Sequence, residues 1–83
     1  MSVIEQLNVV FREVFEDEQI TVKAETTADD VDGWDSLSHV TLIVAVETRF
    51  RIKFTQKELL TMRNVGDLTA AIESELNRHP EAG

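Results

Sequence analysis

Asp35, Ser36 and His39 are the residue types of a nucleophilic triad, and they sit within five positions of one another. Ser36 and His39 are three apart, which puts them on neighbouring turns if this segment is helical. No glycine-framed serine turn and no glycine-rich loop accompany them, so a strained nucleophile and an oxyanion hole have no visible source. Metal chemistry is the next possibility, because "DDVDGWDSLSHV" crowds Asp29, Asp30, Asp32 and Asp35 around Gly33. With Gly33 as the sixth position of a calcium loop, Ala28 would be the first and His39 the twelfth. Neither brings the carboxylate that such a loop needs. Crowded carboxylates still favour diffuse association with divalent ions, which relieves their repulsion.

Two readings of Ser36 remain open. Asp35 and Ser36 could simply start a helix, Asp35 accepting from the orphan amides of Leu37 or Ser38. Alternatively Ser36 is an attachment point, exposed at the tip of a helix whose amides and dipole would favour a phosphodiester. Trp34, the only tryptophan, is placed to anchor the loop on helical side chains and so to fix where the hydroxyl points.

The elements that must position these residues are helical. Val3, Leu7, Val10 and Val14, widened by Ile4, Phe11 and Phe15, predict an amphipathic helix over 2–17. Ser2 and Glu5 form a capping-box pattern at its start, and the phenylalanines serve as core anchors. Residues 18–34 have no sustained period and form a long loop. Ile20 and Val22 are inward pegs, and "QITVK" has the look of a strand without a partner. The second helix covers 36–50, its broad apolar face made by Leu37, Val40, Ile43, Val44, Val46 and Phe50, extended by Leu42 and Ala45. "RIKF" is a connector with Ile52 and Phe54 inward. Thr55 and Glu58 then cap a short helix at "QKELL". The last helix spans 65–78, with Asn64 as its cap and Val65, Leu68, Ala71, Ile72 and Leu76 inward; Pro80 and Gly83 mark a frayed end. His39 is expected to be a partly exposed polar residue, and His79 to lie in the tail. The fold class is all-α: a small bundle of three longer helices and one short one, with a long first loop.

At 83 residues the chain holds one small domain,, and 42% hydrophobic residues argue against disorder,. There is no cysteine, no secretory pattern and no membrane-length apolar run,, so a cytoplasmic monomer is expected. The net charge is −8, which makes nucleic acid an unfavourable partner. Residues 1–35 carry ten acids and two bases, whereas 36–83 carry six of each. The acidic field therefore belongs to the first helix and its loop.

"GWDSLSHVTLIVAVETRF" resembles the motif helix of acyl carrier proteins, on Asp35-Ser36-Leu37 and an apolar-polar helix ending in Phe50. The likeness extends over the first helix, the long loop, the short helix and the last one. It implies a carrier domain over 1–78 with a flexible tail at 79–83, and no enzymatic turnover. It also implies 4′-phosphopantetheine on Ser36, installed from coenzyme A by a phosphopantetheinyl transferase that reads Asp35 and Leu37. Acyl groups would ride as thioesters on the arm's thiol, which fits a chain without cysteine. The family stores its acyl chain between the helices, so Val40, Ile43, Val46, Leu59, Met62 and Leu68 are candidate chain contacts. Acyl-loading and acyl-using enzymes would be the partners, in a fatty-acid, polyketide or related pathway. "GWDSL" also resembles aminoacyl, peptidyl and D-alanyl carriers. A helical adaptor using Ser36 only as a cap, and an acidic ion-binding regulator, are the readings from other classes. One departure stands out. Carriers of primary fatty-acid synthesis have acids along the motif helix, which partner enzymes meet with basic patches. Here "SHVTLIVAVETR" contains only Glu47, and "RFRIK" adds positive charge. That contrast predicts a specialised carrier serving a dedicated pathway.

Overall fold

The computed structural model describes residues 2–78; the expectations for His79, Pro80, Gly83 and a tail at 79–83 lie outside the described residues. The chain forms α1 (Val3–Val14), α2 (Ser36–Phe50), α3 (Gln56–Thr61) and α4 (Val65–Arg78), with one turn of 3₁₀ helix at Ala28–Asp30. The fold is all-α, as expected. None of the described helices is long and apolar enough to cross a membrane.

Each helix begins where a polar side chain can satisfy its orphan amides. Ser2 Oγ accepts from Glu5 N at 3.3 Å while Glu5 Oε1 accepts from Ser2 N at 2.9 Å. Thr55 and Glu58 repeat that exchange at α3. Asn64 Oδ1 accepts from Asp67 N at 2.8 Å and starts α4,.

α1 stops at Val14 and not at Asp17. Glu16 turns left-handed, with φ 52°, and Asp17 N donates to Arg12 O at 3.0 Å. This backward bond closes the helix end without a glycine. α2 closes in the same way: Arg51 has φ 57° and Ile52 N donates to Glu47 O at 3.1 Å. That turn aims Ile52 and Phe54 into the core, where both are buried.

"QITVK" is extended but does not pair as a strand, because α1 side chains take up its backbone groups. Val22 N donates to Asn8 Oδ1 at 2.7 Å, and Asn8 Nδ2 donates to Val22 O at 3.3 Å and to Ile4 O at 2.9 Å. Arg12 Nε donates to Ile20 O at 2.7 Å. Further on, Val65 N and Gly66 N donate to Thr26 O and Ala24 O, pinning the loop to the start of α4. A side chain at Gly66 would lie 2.9 Å from Ala24 O, so glycine permits this approach. The 3₁₀ turn was not anticipated, although Thr27 and Asp30 stand at cap spacing; Asp30 Oδ2 accepts from Thr27 N at 2.9 Å.

Asn8 offers a test of this stapling. Asn8→Ala strands the amide and carbonyl of buried Val22, so a loss of about 1–3 kcal/mol is expected in urea unfolding. A loss below about 0.5 kcal/mol would show that water replaces the staple freely.

The core is built from Leu7, Val10 and Phe11 of α1, Leu42, Ile43, Val46 and Phe50 of α2, and Val65, Leu68, Ala71 and Ile72 of α4. Val22 and Val31 seal it from the loop. Two features differ from the sequence reading. The apolar face of α2 is split: Leu37, Val40 and Val44 are 83%, 63% and 56% exposed. At 100° per residue they point away from Leu42, Ile43, Val46 and Phe50. On α4, Glu75 is buried within the apolar face. Its carboxylate accepts from Arg78 Nη1 at 3.1 Å, the kind of pairing that a buried charge requires.

Candidate functional site

Asp35 is the N-cap of α2. One carboxylate oxygen accepts from both Leu37 N and Ser38 N at 3.0 Å. The amide of Ser38, helped by its hydroxyl and the amide of Leu37, holds the carboxyl below its ordinary range against the opposing cost of desolvation,. Ser38 completes the junction: its Oγ accepts from Asp35 N at 2.8 Å and donates to Gly33 O at 2.6 Å. Gly33 itself has φ 87°, a conformation few side chains tolerate,.

Ser36 occupies the first helical position between these two busy neighbours. It is exposed, and its hydroxyl makes no hydrogen bond to the described residues. Cap duty falls to Asp35 and Ser38, so Ser36 is not needed to start the helix.

Trp34 fixes the approach to the serine. Its ring meets Phe11 edge-on at 5.1 Å and stacks on His39 at 6.0 Å, and its Nε1 donates to His39 Nδ1 at 3.1 Å. The expected loop anchor is therefore present, standing on α1 and α2 together. His39 is half-buried, in line with the partly exposed polar residue expected, and its pairing with Trp34 is what the sequence did not show. The triad does not assemble. The acceptor nitrogen of His39 faces Trp34, and the Asp35 carboxylate is turned to backbone amides.

Four aspartates near the serine do not make a metal site either. Asp35 is committed to the cap and Asp30 to Thr27. Among the described residues no three His, Asp or Glu side chains come together as ligands.

An open cleft of about 420 Å³ adjoins the serine, lined by Ala28, Trp34, Asp35, Ser36, His39, Met62 and Arg63. It presents an indole face, a thioether and a cation beside the Ser36 hydroxyl. Of the six candidate chain contacts, only Met62 lines this cleft. Ile43, Val46 and Leu68 are buried in the core, Leu59 is 38% exposed, and Val40 lies on the outer face. Leu37, the second candidate recognition residue, stands beside the serine and is almost fully exposed.

Burial pushes the His39 imidazole below its ordinary value of 6.5,. A histidine lowered in this way adds stability above its unfolded pKa, and that stability is lost as pH falls through the lower, folded value. Asp35 and Arg63 line the same cleft, and the lowered carboxyls of Asp35, Glu5 and Glu58 titrate in a more acid range. Trp34 fluorescence, followed from about pH 7.5 to about pH 4.5, should therefore change with a midpoint below that of free histidine. His39→Gln should abolish the transition. A midpoint at or above the ordinary value, or an unchanged transition in the variant, would contradict the Trp34–His39 pairing.

No family model matches the chain. Among curated proteins, it is 47% identical over 47 residues to the acyl carrier protein MbtL of Mycolicibacterium paratuberculosis, a match covering 57% of this chain and 52% of that protein. It is 40% identical over 52 residues to the acyl carrier protein MbtL of a Mycobacterium species, covering 63% and 57%. The chain thus spans only about half the length of these curated relatives. Among solved structures, the solution structure of a holo acyl carrier protein from Geobacter metallireducens superposes with a TM-score of 0.90. Sequence identity is 44%, with 98% of this chain and 93% of that chain covered.

Proposed function

The chain belongs to the acyl carrier protein family, and we propose that its Ser36 hydroxyl carries a 4′-phosphopantetheine arm. The observation that supports this is the division of labour at the start of α2. Asp35 and Ser38 hold the helix end, Trp34 fixes the loop, and Ser36 is left exposed and unbonded at the mouth of a cleft. When bound, the arm supplies the thiol that holds acyl groups as thioesters. The chain's own part is to present and shelter. The cap keeps the serine at a fixed point on a rigid helix. Trp34, Met62 and His39 give the cleft an apolar wall, and Arg63 places a positive charge on its rim. Because Asp35 already occupies the Leu37 and Ser38 amides, helix amides offer a phosphodiester less than the sequence suggested. Arg63 is the cleft-lining cation that can offset the negative charge.

The family consists of carriers and not enzymes, so turnover belongs to partner proteins: a phosphopantetheinyl transferase that reads Asp35 and Leu37, then enzymes that load and use the acyl group. We assign the cargo to a dedicated fatty-acid, polyketide or related pathway, since the relatives above are named as acyl carriers.

A thiol count tests the proposal, because the chain has no cysteine. After incubation with coenzyme A and a broad-specificity transferase, the desalted protein should react with a thiol reagent at one equivalent per chain. No thiol, with an active transferase on a control carrier, would overturn it.

A further inference from the structure

His39 has one ring nitrogen in use and one spare. An indole N–H can only donate, so the bond from Trp34 Nε1 at 3.1 Å makes His39 Nδ1 the acceptor. In the neutral ring the proton then sits on Nε2. Burial holds the imidazole below its ordinary pKa, so the ring is uncharged at neutral pH,. The two nitrogens diverge from the ring, which turns Nε2–H away from the indole. That donor makes no hydrogen bond to the described residues, although the imidazole is half-buried and buried polar groups are normally paired.

Ser36 lies three positions before His39, which places the two side chains on one face of α2, and both line the cleft. Arg63 lines it from the segment between α3 and α4. Its backbone N donates to Asp67 Oδ2 at 2.9 Å, but its guanidinium makes no hydrogen bond or ion pair with the described residues. Two unspent donors, one of them charged, therefore share a cleft with the serine hydroxyl. Asp35 lines the same cleft and keeps its charge while it accepts from two amides. An anion at Ser36 meets that like charge and needs donors to offset it.

We propose that His39 Nε2–H and the Arg63 guanidinium hold the phosphodiester of the arm against the cleft wall. This rests on the carrier reading of Ser36. A phosphodiester has one negative charge and two unesterified oxygens, one for each donor. The arm's other polar groups are neutral amides and a hydroxyl, which draw less on a cation. Held in this way, the arm leaves the serine along the cleft wall and not straight into solvent.

The test compares unmodified and holo wild type by proton and phosphorus NMR between about pH 7.5 and about pH 4.5, after a thiol count on the holo sample. The charged groups around His39 are Asp35 on the helix entry, Asp29 and Asp30 in the 3₁₀ turn that brings Ala28 to the cleft, and Arg63. Phe11 of α1, behind Trp34, carries no charge. All of these are the same in both samples, so the difference isolates the arm. An anion held at Nε2 favours the imidazolium, and the His39 midpoint should lie about 0.5 pH unit higher in the holo protein. His39→Gln identifies the signal, since His79 is the other histidine. A phosphodiester does not ionise in this range, yet its phosphorus resonance should move with the His39 midpoint in wild type and stay flat in His39→Gln. At the upper end of the range, Arg63→Gln should displace that resonance from its wild-type position. Equal His39 midpoints in the two samples, the same phosphorus response to pH in wild type and His39→Gln, or an undisplaced resonance in Arg63→Gln would each overturn the inference and leave the carrier reading intact. A missing thiol would overturn the carrier reading, and this inference with it.

Discussion

Ser36→Ala should abolish arm attachment while leaving the fold as stable as wild type to within about 0.5 kcal/mol. Ser38→Ala should do the reverse. The two serines lie two positions apart in the same turn, yet their surroundings divide them. Ser36 is exposed and makes no hydrogen bond to the described residues. Removing its hydroxyl strands nothing, and alanine suits the first turn of a helix. Ser38 Oγ accepts from Asp35 N and donates to Gly33 O. Its removal frees an amide and a carbonyl at the helix entry and should cost about 1 kcal/mol. The arm should still attach to that variant, because Asp35, Ser36 and Leu37 are retained. Urea unfolding and a thiol count on the same samples read both halves. A loss above about 1 kcal/mol for Ser36→Ala would mean that Ser36 is itself part of the cap. Retention of the thiol in that variant would place the arm elsewhere.

Phe11→Ala should produce the largest loss of stability. Phe11 is completely buried on α1, where it stacks on Phe15 at 5.8 Å and receives the edge of Trp34 at 5.1 Å. Truncating a buried phenylalanine typically costs about 3–5 kcal/mol through lost transfer energy and the cavity left behind. A domain of this length has about 4–12 kcal/mol in total, so the variant should be near its unfolding threshold at room temperature. The same ring supports Trp34, and through it the loop that leads to Ser36. A milder Phe11→Leu, expected to cost about 0.5–3 kcal/mol, should stay folded and still disturb the Trp34 environment. Its tryptophan emission should shift to longer wavelength as the indole loses its platform. An unshifted emission, or a cost for Phe11→Ala below about 1 kcal/mol, would show that core and site are not joined through this ring.

Much of this fold is legible locally, because its helix boundaries are set by side chains close in sequence. Ser2 with Glu5, Asp35, and Thr55 with Glu58 each announce a helix start through hydrogen bonds spanning two or three residues. Inward placement of Ile52, Phe54, Leu68 and Ile72 also follows from short-range spacing. What spacing could not reveal depends on distant partners. Asn8 looks like an ordinary polar helix residue, and only the return of the loop makes it the mate of Val22. Leu37, Val40 and Val44 belong to an apolar pattern too broad to be buried on one side, and tertiary packing chose Leu42, Ile43, Val46 and Phe50 instead. Glu75 breaks the apolar stripe of α4, a signal in itself, but Arg78 must fold back before burial makes sense. At the site, the types and order of Asp35, Ser36 and Leu37 carried the resemblance. The role of Ser38 and the hydrogen bond between Trp34 and His39 needed the loop and helix brought together.

Attachment of the arm to Ser36 is the central claim, and site-mapped mass spectrometry reaches it most directly. Wild type, treated with coenzyme A and a transferase that is active on a control carrier, is measured intact and then fragmented. The result expected is a gain of one phosphopantetheine per chain, with every modified fragment containing Ser36 and none requiring Ser2, Ser38 or Ser74. An unmodified chain, or the same mass gain mapped to any other residue, would contradict it.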